Sequence, residues 1–263
     1  MDDFLIKTRP TRNPYLTSLK IIFDRFCWDV NSESWISRKK LKALKNLHEG
    51  EKAVILCNGP SLLKSDISLL KYTFTFGLNK INLLFDKSDF RPSCIVSVNP
   101  HVLNQNKDFF NKTDIQLFLD SKCKRFINSR KNTMFLHSNI VPGFARDCSI
   151  SIFQGYTVTY VALELAFHMG FKEIALIGCD HNFATQGIAN KEVISGHTDP
   201  NHFDPNYFSG GVKWHLPDLL NSEVYYSLAR DVYEQAGRKI YNATDGGKLE
   251  IYERISLIDF LRK

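Results

Sequence analysis

The sequence predicts an α/β fold with a mostly parallel sheet and helices on both faces. Short apolar runs recur along the chain, and segments with apolar residues at helical spacing separate several of them. The apolar runs are mostly unbroken, which is typical of parallel strands that are buried on both faces. A chain of 263 residues with 43% hydrophobic residues is long enough to bury one sizeable core.

The individual elements are predicted from residue 53 onward, in a main domain of residues 51–263. Strands are predicted at AVILC, TFTFGL, SCIVSV, IQLFL, TMFLHS, EIALIG and KIYNAT. Helices are predicted at LLKSDISLLKY, TVTYVALELAFHMG, NSEVYYSLARDVYEQAG and SLIDFLRK. The second of these helices has a threonine as cap candidate and ends at Gly170.

Residues 1–50 are predicted to form an N-terminal helical arm. LTSLKIIFDRFCWDV and ESWISRKKLKALKNLHEG are both amphipathic, and the second is strongly basic and is predicted to end at Gly50. The arm either packs on the main domain or presents its basic residues 36–47 to anionic lipid.

Residues 182–217 interrupt the alternation of strands and helices. This segment is rich in Gly, Pro, Asn and His, and it carries several aromatic residues, which argue against disorder. A long loop without regular structure of its own is often a functional lid. We therefore predict that residues 182–217 form a lid loop.

Composition limits the compartment and the partners. The chain has no run of about eighteen apolar residues and no signal-peptide core in its first ten residues. Six scattered cysteines without CxxC pairs indicate reduced thiols in a cytosolic protein, located at the inner face of the membrane if the arm binds lipid. The net charge of +6 fits an anionic partner, but no aromatic-basic RNA motif is present, so no nucleic acid is predicted. Homo-oligomerisation remains open.

Polar residues follow four of the predicted strands. Asn58, Asn79, Asn99 and Asp180 come directly after, or one residue after, apolar runs. Ligands of open parallel sheets bind outside the carboxyl ends of the strands, so these residues are candidates for binding. The alternative is turn chemistry, because asparagine commonly ends strands.

Two helix starts are candidate anion sites. In CNGPSL, Gly59 allows close backbone approach, Pro60 suits the first helical position, and the amides of Ser61 and the next residue would face an anion. At the second start, Gly155, Thr157 and Thr159 would converge, although ordinary N-capping explains them as well. Neither GxGxxG nor GxxxxGK[ST] is present at these starts, which weakens dinucleotide and P-loop interpretations.

Four histidines lie in or beside the predicted lid: His181, His197, His202 and His215. With Asp180, Asp199 and Asp204 they could hold a metal, but no HxxxH or HExxH spacing supports this, and no metal site is predicted. The favoured role for one of these histidines is that of a general base, which takes the proton of a hydroxyl group.

CNGPSL, the asparagine after the second strand, VNP, MGFKEIALIGCDHNF and SGHTDPN resemble bacterial sialyltransferases of glycosyltransferase family 42. The resemblance implies a Rossmann-like fold with a lid and a CMP-activated sialic acid donor. It also implies that Asn58, Asn79 and Asn99 contact the CMP-sugar and that His197 is the base. The family has Ser-Gly at the second helix start, where this chain has TVT, so Thr157 and Thr159 are less firmly matched.

The same segments, with the tail NHFDPNYF to YNATDGGKLEIYERI, also resemble the MptE-like group. That group is named for a 6-hydroxymethylpterin diphosphokinase and includes motility-associated factors thought to glycosylate flagellin. A diphosphokinase would need ATP and Mg²⁺, with Asp180 as metal ligand. Mg²⁺ prefers several oxygen ligands, and one acid after the strands argues against this activity.

We therefore expect a Rossmann-like glycosyltransferase that moves a sialic acid-like sugar from a CMP donor to a glycan, glycolipid or protein hydroxyl. The reaction would be inverting and independent of metal or other cofactors, with His197 as base, His202 as substitute and Asp180 orienting the site. The substrate-binding residues would be Asn58, Gly59, Ser61, Asn79, Asn99, Thr157, Thr159, His181 and Trp214. The alternatives are the Mg-dependent pyrophosphokinase and a nucleotide-binding protein without catalysis.

Overall fold

A computed structural model describes residues 13–139, 141–184 and 187–263. Residues 1–12 of the predicted arm and 185–186 of the predicted lid lie outside the described residues. The α-helices are α1 (Pro14–Asp29), α2 (Ser32–Leu44), α3 (Pro100–Gln105), α4 (Lys107–Lys112), α5 (Val158–Met169), α6 (Leu219–Gln235) and α7 (Leu257–Arg262). Short 3₁₀ helices span Pro60–Lys64, Ile67–Leu70, Ile81–Leu84 and Ser121–Arg125.

The main sheet has eight strands, and all of its pairings are parallel. The strands of the chain are β1 (Lys52–Leu56), β2 (Phe74–Leu78), β3 (Cys94–Ser97), β4 (Gln116–Asp120), β5 (Thr133–Leu136), β6 (Ser138–Asn139), β7 (Ile152–Phe153), β8 (Glu173–Ile177), β9 (Glu192–Ile194), β10 (Lys213–His215), β11 (Lys239–Asn242) and β12 (Glu253–Arg254). The order in the main sheet is β12-β11-β8-β1-β2-β3-β4-β5. The predicted Rossmann-like α/β fold is confirmed.

Alternate residues of β1 enter two different cores, as the pleat of a strand requires. Ala53 and Ile55 join a core built with α2, α5 and α6. Val54 and Leu56 join a second core with the 3₁₀ helices, α3, α4, α7 and aromatic residues of segment 182–217. All four side chains are completely buried, which explains why the run is unbroken in sequence.

The strand order reverses beside β1. From β1 the chain proceeds through β2, β3, β4 and β5 towards one edge, whereas β8, β11 and β12 lie towards the other. β1 therefore pairs with β2 on one side and with β8 on the other. Such a reversal opens a crevice at the carboxyl ends of the two central strands, where ligands of open α/β sheets bind.

Two predicted helices differ from the observed ones. α2 ends at Leu44 rather than Gly50, because Lys45 is extended and the following turn bonds instead to the end of α5, through Asn46 N to His168 O. LLKSDISLLKY forms two 3₁₀ helices rather than one helix. Ser65 is extended, and the Asp66 carboxylate caps the second helix by accepting from Ser68 N.

Basic residues of α2, and Lys45 directly after it, partly make contacts within the protein. Lys40 Nζ donates to two backbone carbonyls beside β5, and Lys45 pairs with Asp147 at 2.6 Å. Lys39 and Lys42 are exposed. Contact of residues 36–47 with lipid stays a prediction. None of the helices in the described residues is long and apolar enough to cross a bilayer.

Segment 182–217 contains regular structure, contrary to the prediction. β9 and β10 pair as an antiparallel hairpin, with His215 opposite Glu192. The central turn is attached to the sheet, because Phe203 N donates to Asn58 O at 2.9 Å and Lys80 Nζ donates to Tyr207 O at 2.6 Å. The segment thus forms a packed wall over the carboxyl ends of the strands, and movement as a lid stays a prediction.

Candidate functional site

A cavity of about 1130 Å³ lies at the carboxyl ends of the central strands, where the strand order reverses. Ten of the twelve predicted site residues line it, although they come from six separate parts of the chain. They are Asn58, Gly59, Asn79, Asn99, Thr157, Thr159, Asp180, His181, His202 and Trp214. Ser61 is connected to the cavity through Asp180, whereas His197 is exposed and outside the lining.

Asn58 is the residue in the cavity whose polar side chain is least satisfied. It is 8% exposed, and its Oδ1 atom is buried without a hydrogen-bond partner among the described residues. A buried carbonyl without a donor costs about 1–3 kcal/mol. A ligand that donates a hydrogen bond at this position would remove that cost.

The other two asparagines have structural roles. Asn79 has a left-handed backbone with φ of 49°, and its Oδ1 accepts from Ser97 Oγ at 3.1 Å. Asn99 caps α3, because its Oδ1 accepts from the backbone amides of His101 and Val102. Turn and cap chemistry therefore explains both asparagines, and both residues also line the cavity.

The anion site predicted at Ser61 is filled by the protein itself. Asp180 Oδ2 accepts from Ser61 N at 3.2 Å and from Ser61 Oγ at 2.7 Å. This contact needs a glycine at position 59, since a Cβ there would lie 1.9 Å from the same carboxylate oxygen. Asp180 therefore occupies the position that was expected for a ligand anion, and contact of the Ser61 amide with a ligand stays a prediction.

The start of α5 is the second predicted anion site, and it does face the cavity. Thr157 is the N-cap, and its Oγ1 accepts from Thr159 N at 3.3 Å and from the Tyr226 hydroxyl at 3.4 Å. Gly155 and Tyr156 both have positive φ, so the chain turns sharply into the helix. The positive end of a twelve-residue helix therefore points at the cavity wall.

His202 has the geometry of a general base. Its Nδ1 lies 2.7 Å from Asp199 Oδ2, and its ring stacks on Tyr207 with 3.9 Å between centroids and 2° between planes. The buried Asp199 carboxylate also accepts from Phe208 N, so its position is well defined. When Nδ1 donates to Asp199, Nε2 carries the lone pair that can take a proton.

His181 and Trp214 form further parts of the wall. The Nε2 atom of His181 lies 2.9 Å from Glu223 Oε1, which ties the loop after β8 to α6. Trp214, in β10, is buried and stacks on Phe208 with 5.3 Å between centroids. Both residues line the cavity and have partners within the protein, and their contact with a substrate stays a prediction.

Sequence reasoning missed a group of cations and tyrosines in the wall. Lys122, Lys124 and Arg125, on the 3₁₀ helix after β4, are exposed at the cavity and favour an anionic ligand. Their signal was the basic run SKCKR, which begins one residue after the predicted strand IQLFL. Tyr156, Tyr225 and Tyr226 add aromatic surface, but they come from a loop and a helix without a recognisable motif.

The acids considered for a metal site are not brought together. Asp180 bonds to Ser61, Asp199 bonds to His202, and Asp204 pairs with Lys87 at 2.6 Å. The hydrogen bonds from Lys87 and Asn206 N outweigh the effect of burial and lower the pKa of Asp204. Each carboxylate therefore stabilises a different local contact.

Comparison with known proteins places the chain in a family. It is similar to a structure described as a MAf glycosyltransferase from Magnetospirillum magneticum AMB-1, with 16% identity and a TM-score of 0.48. That match covers 86% of this chain and 39% of the other, so this chain spans less than half of that protein's length. No curated protein matches. The family model described as 6-hydroxymethylpterin diphosphokinase MptE-like matches residues 29–186, more than half of the chain, and the chain therefore belongs to the MptE-like family.

Proposed function

We propose that this protein is a nucleotide-dependent transferase that moves an acidic, sialic acid-like sugar from a CMP-activated donor to a hydroxyl group. The observation that carries the proposal is the buried Oδ1 of Asn58 in the crevice beside β1, which has no hydrogen-bond partner in the described part of the chain. A cytosine amino group or a ribose hydroxyl would donate to it. Family membership supports a nucleotide-related role, and the sugar and the donor rest on the resemblance and on the chemistry of the cavity.

The anionic parts of the donor have two candidate partners. The N-terminus of α5 offers backbone amides and the hydroxyls of Thr157 and Thr159 to the single phosphate. Lys122, Lys124 and Arg125 offer positive charge to a sugar carboxylate. These groups stabilise the charge that develops on the leaving phosphate.

His202 is the proposed base, in place of His197. Its Nε2 would accept the proton of the acceptor hydroxyl while the oxygen forms a bond to the anomeric carbon. The bond from that carbon to the phosphate oxygen breaks at the same time, and CMP leaves with the electron pair. Asp199 holds the ring orientation and stabilises the resulting imidazolium.

A diphosphokinase is the second candidate, because the matching family model is named for that activity. It would require ATP and Mg²⁺. Both carboxylate oxygens of Asp120 already accept hydrogen bonds. Oδ1 accepts from Lys122 N, and Oδ2 accepts from Ser138 Oγ and Gln154 Nε2. Asp180 has its Oδ2 engaged by Ser61, so Asp180 Oδ1 is the oxygen that would bind Mg²⁺ beside the phosphates.

Calorimetric titration with CMP, CDP and ATP, each with and without Mg²⁺, tests the proposal. We expect CMP to bind without Mg²⁺ and more tightly than ATP. Asn58→Ala should weaken CMP binding about tenfold through loss of one hydrogen bond, whereas Asn128→Ala, at an exposed position outside the cavity, should not.

Two results would contradict the proposal in different ways. Equal CMP affinity of wild type and Asn58→Ala would remove Asn58 from the site. Tight ATP binding that depends on Mg²⁺, together with diphosphate transfer to 6-hydroxymethylpterin, would identify the diphosphokinase instead.

A further inference from the structure

Three potential metal ligands meet beside the cavity, outside the site described above. His101 is the second residue of α3, while Glu192 and His215 are paired opposite each other in the β9–β10 hairpin. Their ligand atoms all lie within 4.8 Å of one another. Among the described residues, this is the one group of three or more such side chains close enough to share a metal ion. Sequence reasoning considered His215 but neither of the other two.

The three side chains already approach each other around a common point. His101 Nε2 lies 3.3 Å from Glu192 Oε2, and the rings of His101 and His215 are 4.7 Å apart and tilted by 54°. Lys213 Nζ lies 2.8 Å from Glu192 Oε1, so the lysine uses the other carboxylate oxygen. Oε2 and the two imidazoles are therefore left facing the same small volume.

We propose that His101, Glu192 and His215 bind one divalent ion of the zinc class. Two imidazoles and one carboxylate are a preferred zinc donor set, with a fourth position left for water. Ligand atoms about 2 Å from a tetrahedral ion are about 3.3 Å from one another. The ligand atoms need to approach by at most about 1.5 Å, and both Glu192 and His215 have exposed side chains.

The ion would fasten the hairpin to the core of the protein. One ligand is on α3, beside the carboxyl end of β3, and the other two are on segment 182–217. Gln105 Nε2 donates to Lys213 O at 2.9 Å, so the hairpin already touches α3 without the ion. Because Trp214, His215 and Leu216 line the cavity, the metal would stabilise that wall without contacting the proposed sugar-transfer groups.

Zinc titration of the chelator-treated full chain, followed by calorimetry and thermal unfolding, tests this site. Wild type should bind one zinc ion at this site and unfold at a higher temperature with zinc present. His101→Ala, His215→Ala and Glu192→Gln should each weaken binding by more than about tenfold, since even loss of a supporting partner costs that much. His197→Ala, an exposed histidine in the same segment, should bind zinc as wild type does.

Lys213→Met keeps all three ligands and removes a positive charge next to the ion, so it should bind zinc more tightly than wild type. Cobalt chloride provides a second measurement, since the visible spectrum of bound Co²⁺ should be lost in His215→Ala and kept in His197→Ala. Wild-type zinc affinity in both His101→Ala and His215→Ala would overturn the proposal. Absence of zinc binding to the wild type would overturn it as well.

Discussion

Helix α1 and segment 182–217 both lie outside the main sheet, but α1 leaves most of its apolar side chains exposed whereas segment 182–217 buries most of its aromatic ones. α1 exposes an apolar stripe at helical spacing, and in the described residues Phe23 remains 68% exposed. The stripe consists of Tyr15, Leu16, Leu19, Ile22, Phe23 and Phe26. Segment 182–217 has no helical spacing, yet Phe203, Tyr207, Phe208 and Trp214 are all buried.

The difference shows that an apolar pattern indicates a surface suited to burial without identifying what covers it. In α1 the pattern is regular, but the residues that the structure describes leave most of it exposed. In segment 182–217 the aromatic residues pack on one another and on His202, above the carboxyl ends of the strands. The ammonium group of Lys80 lies over the ring of Phe208. The segment is thus part of the folded core, whereas α1 is attached at its end by Trp28.

The largest expected effect is on turnover, and it should differ between two histidines of segment 182–217. His202→Ala should lower sugar-transfer turnover by about 10²–10⁴-fold, because a positioned base contributes that much. His197→Ala, the exposed counterpart, should leave turnover close to wild type. Steady-state rates with a CMP-sugar and a hydroxyl acceptor provide the measurement. A large loss in His197→Ala with normal His202→Ala turnover would restore the base expected from sequence.

The next largest effect is on the free energy of unfolding, where we compare a buried phenylalanine of segment 182–217 with an exposed one of α1. Phe208→Ala should lower the free energy of unfolding by about 3–5 kcal/mol, because it leaves a cavity among packed aromatic rings. Phe23→Ala should change it by less than about 0.5 kcal/mol, because the side chain is already exposed. Urea unfolding of both variants measures this. A cost of several kcal/mol in Phe23→Ala would mean that α1 is covered in solution.

A smaller effect concerns the lysine that holds the segment to the sheet. Burial lowers the pKa of Lys80 from 10.5 to about 8, against attraction from Asp199. Between these two pH values the unfolded chain holds a proton that the folded chain has lost. The free energy of unfolding of wild type should therefore rise with pH across this interval relative to Lys80→Met, by at most about 3 kcal/mol.

Urea unfolding of wild type and Lys80→Met, at pH values below 8 and then up to 10.5, measures that difference. Below pH 8 the difference should be nearly constant, since Lys80 is protonated in both states. A difference that stays constant through the whole interval would show that Lys80 is not buried as a charged group and that the segment is held differently.

Much of the fold could be predicted because strands buried on both faces leave unbroken apolar runs. The strand ends follow from the same runs, so the amino-acid pattern alone is enough to place Asn58, Asn79, Asn99 and Asp180 at the crevice.

The remaining features depend on contacts between distant parts of the chain. Ser61 and Asp180 are 119 residues apart, and no local pattern shows that one carboxylate fills the helix start. His197 and His202 are five positions apart in a segment without periodicity. The contact with Asp199 and the stacking on Tyr207 decided which of them lies at the cavity. Helical spacing correctly predicted the helix that became α1 but left its environment undetermined.

The parallel sheet also has a consequence for how the site forms in time. Every neighbouring strand pair in it requires a crossover, and β1 pairs with β8 across about 120 residues of intervening chain. Contacts of such long sequence separation slow folding, because loop closure precedes the gain from pairing. The cavity wall includes residues up to Tyr226, so the cavity stays incomplete until that part of the chain has been synthesised and folded into place. A ligand that binds only the completed cavity would then shift the population towards the fully folded state by mass action.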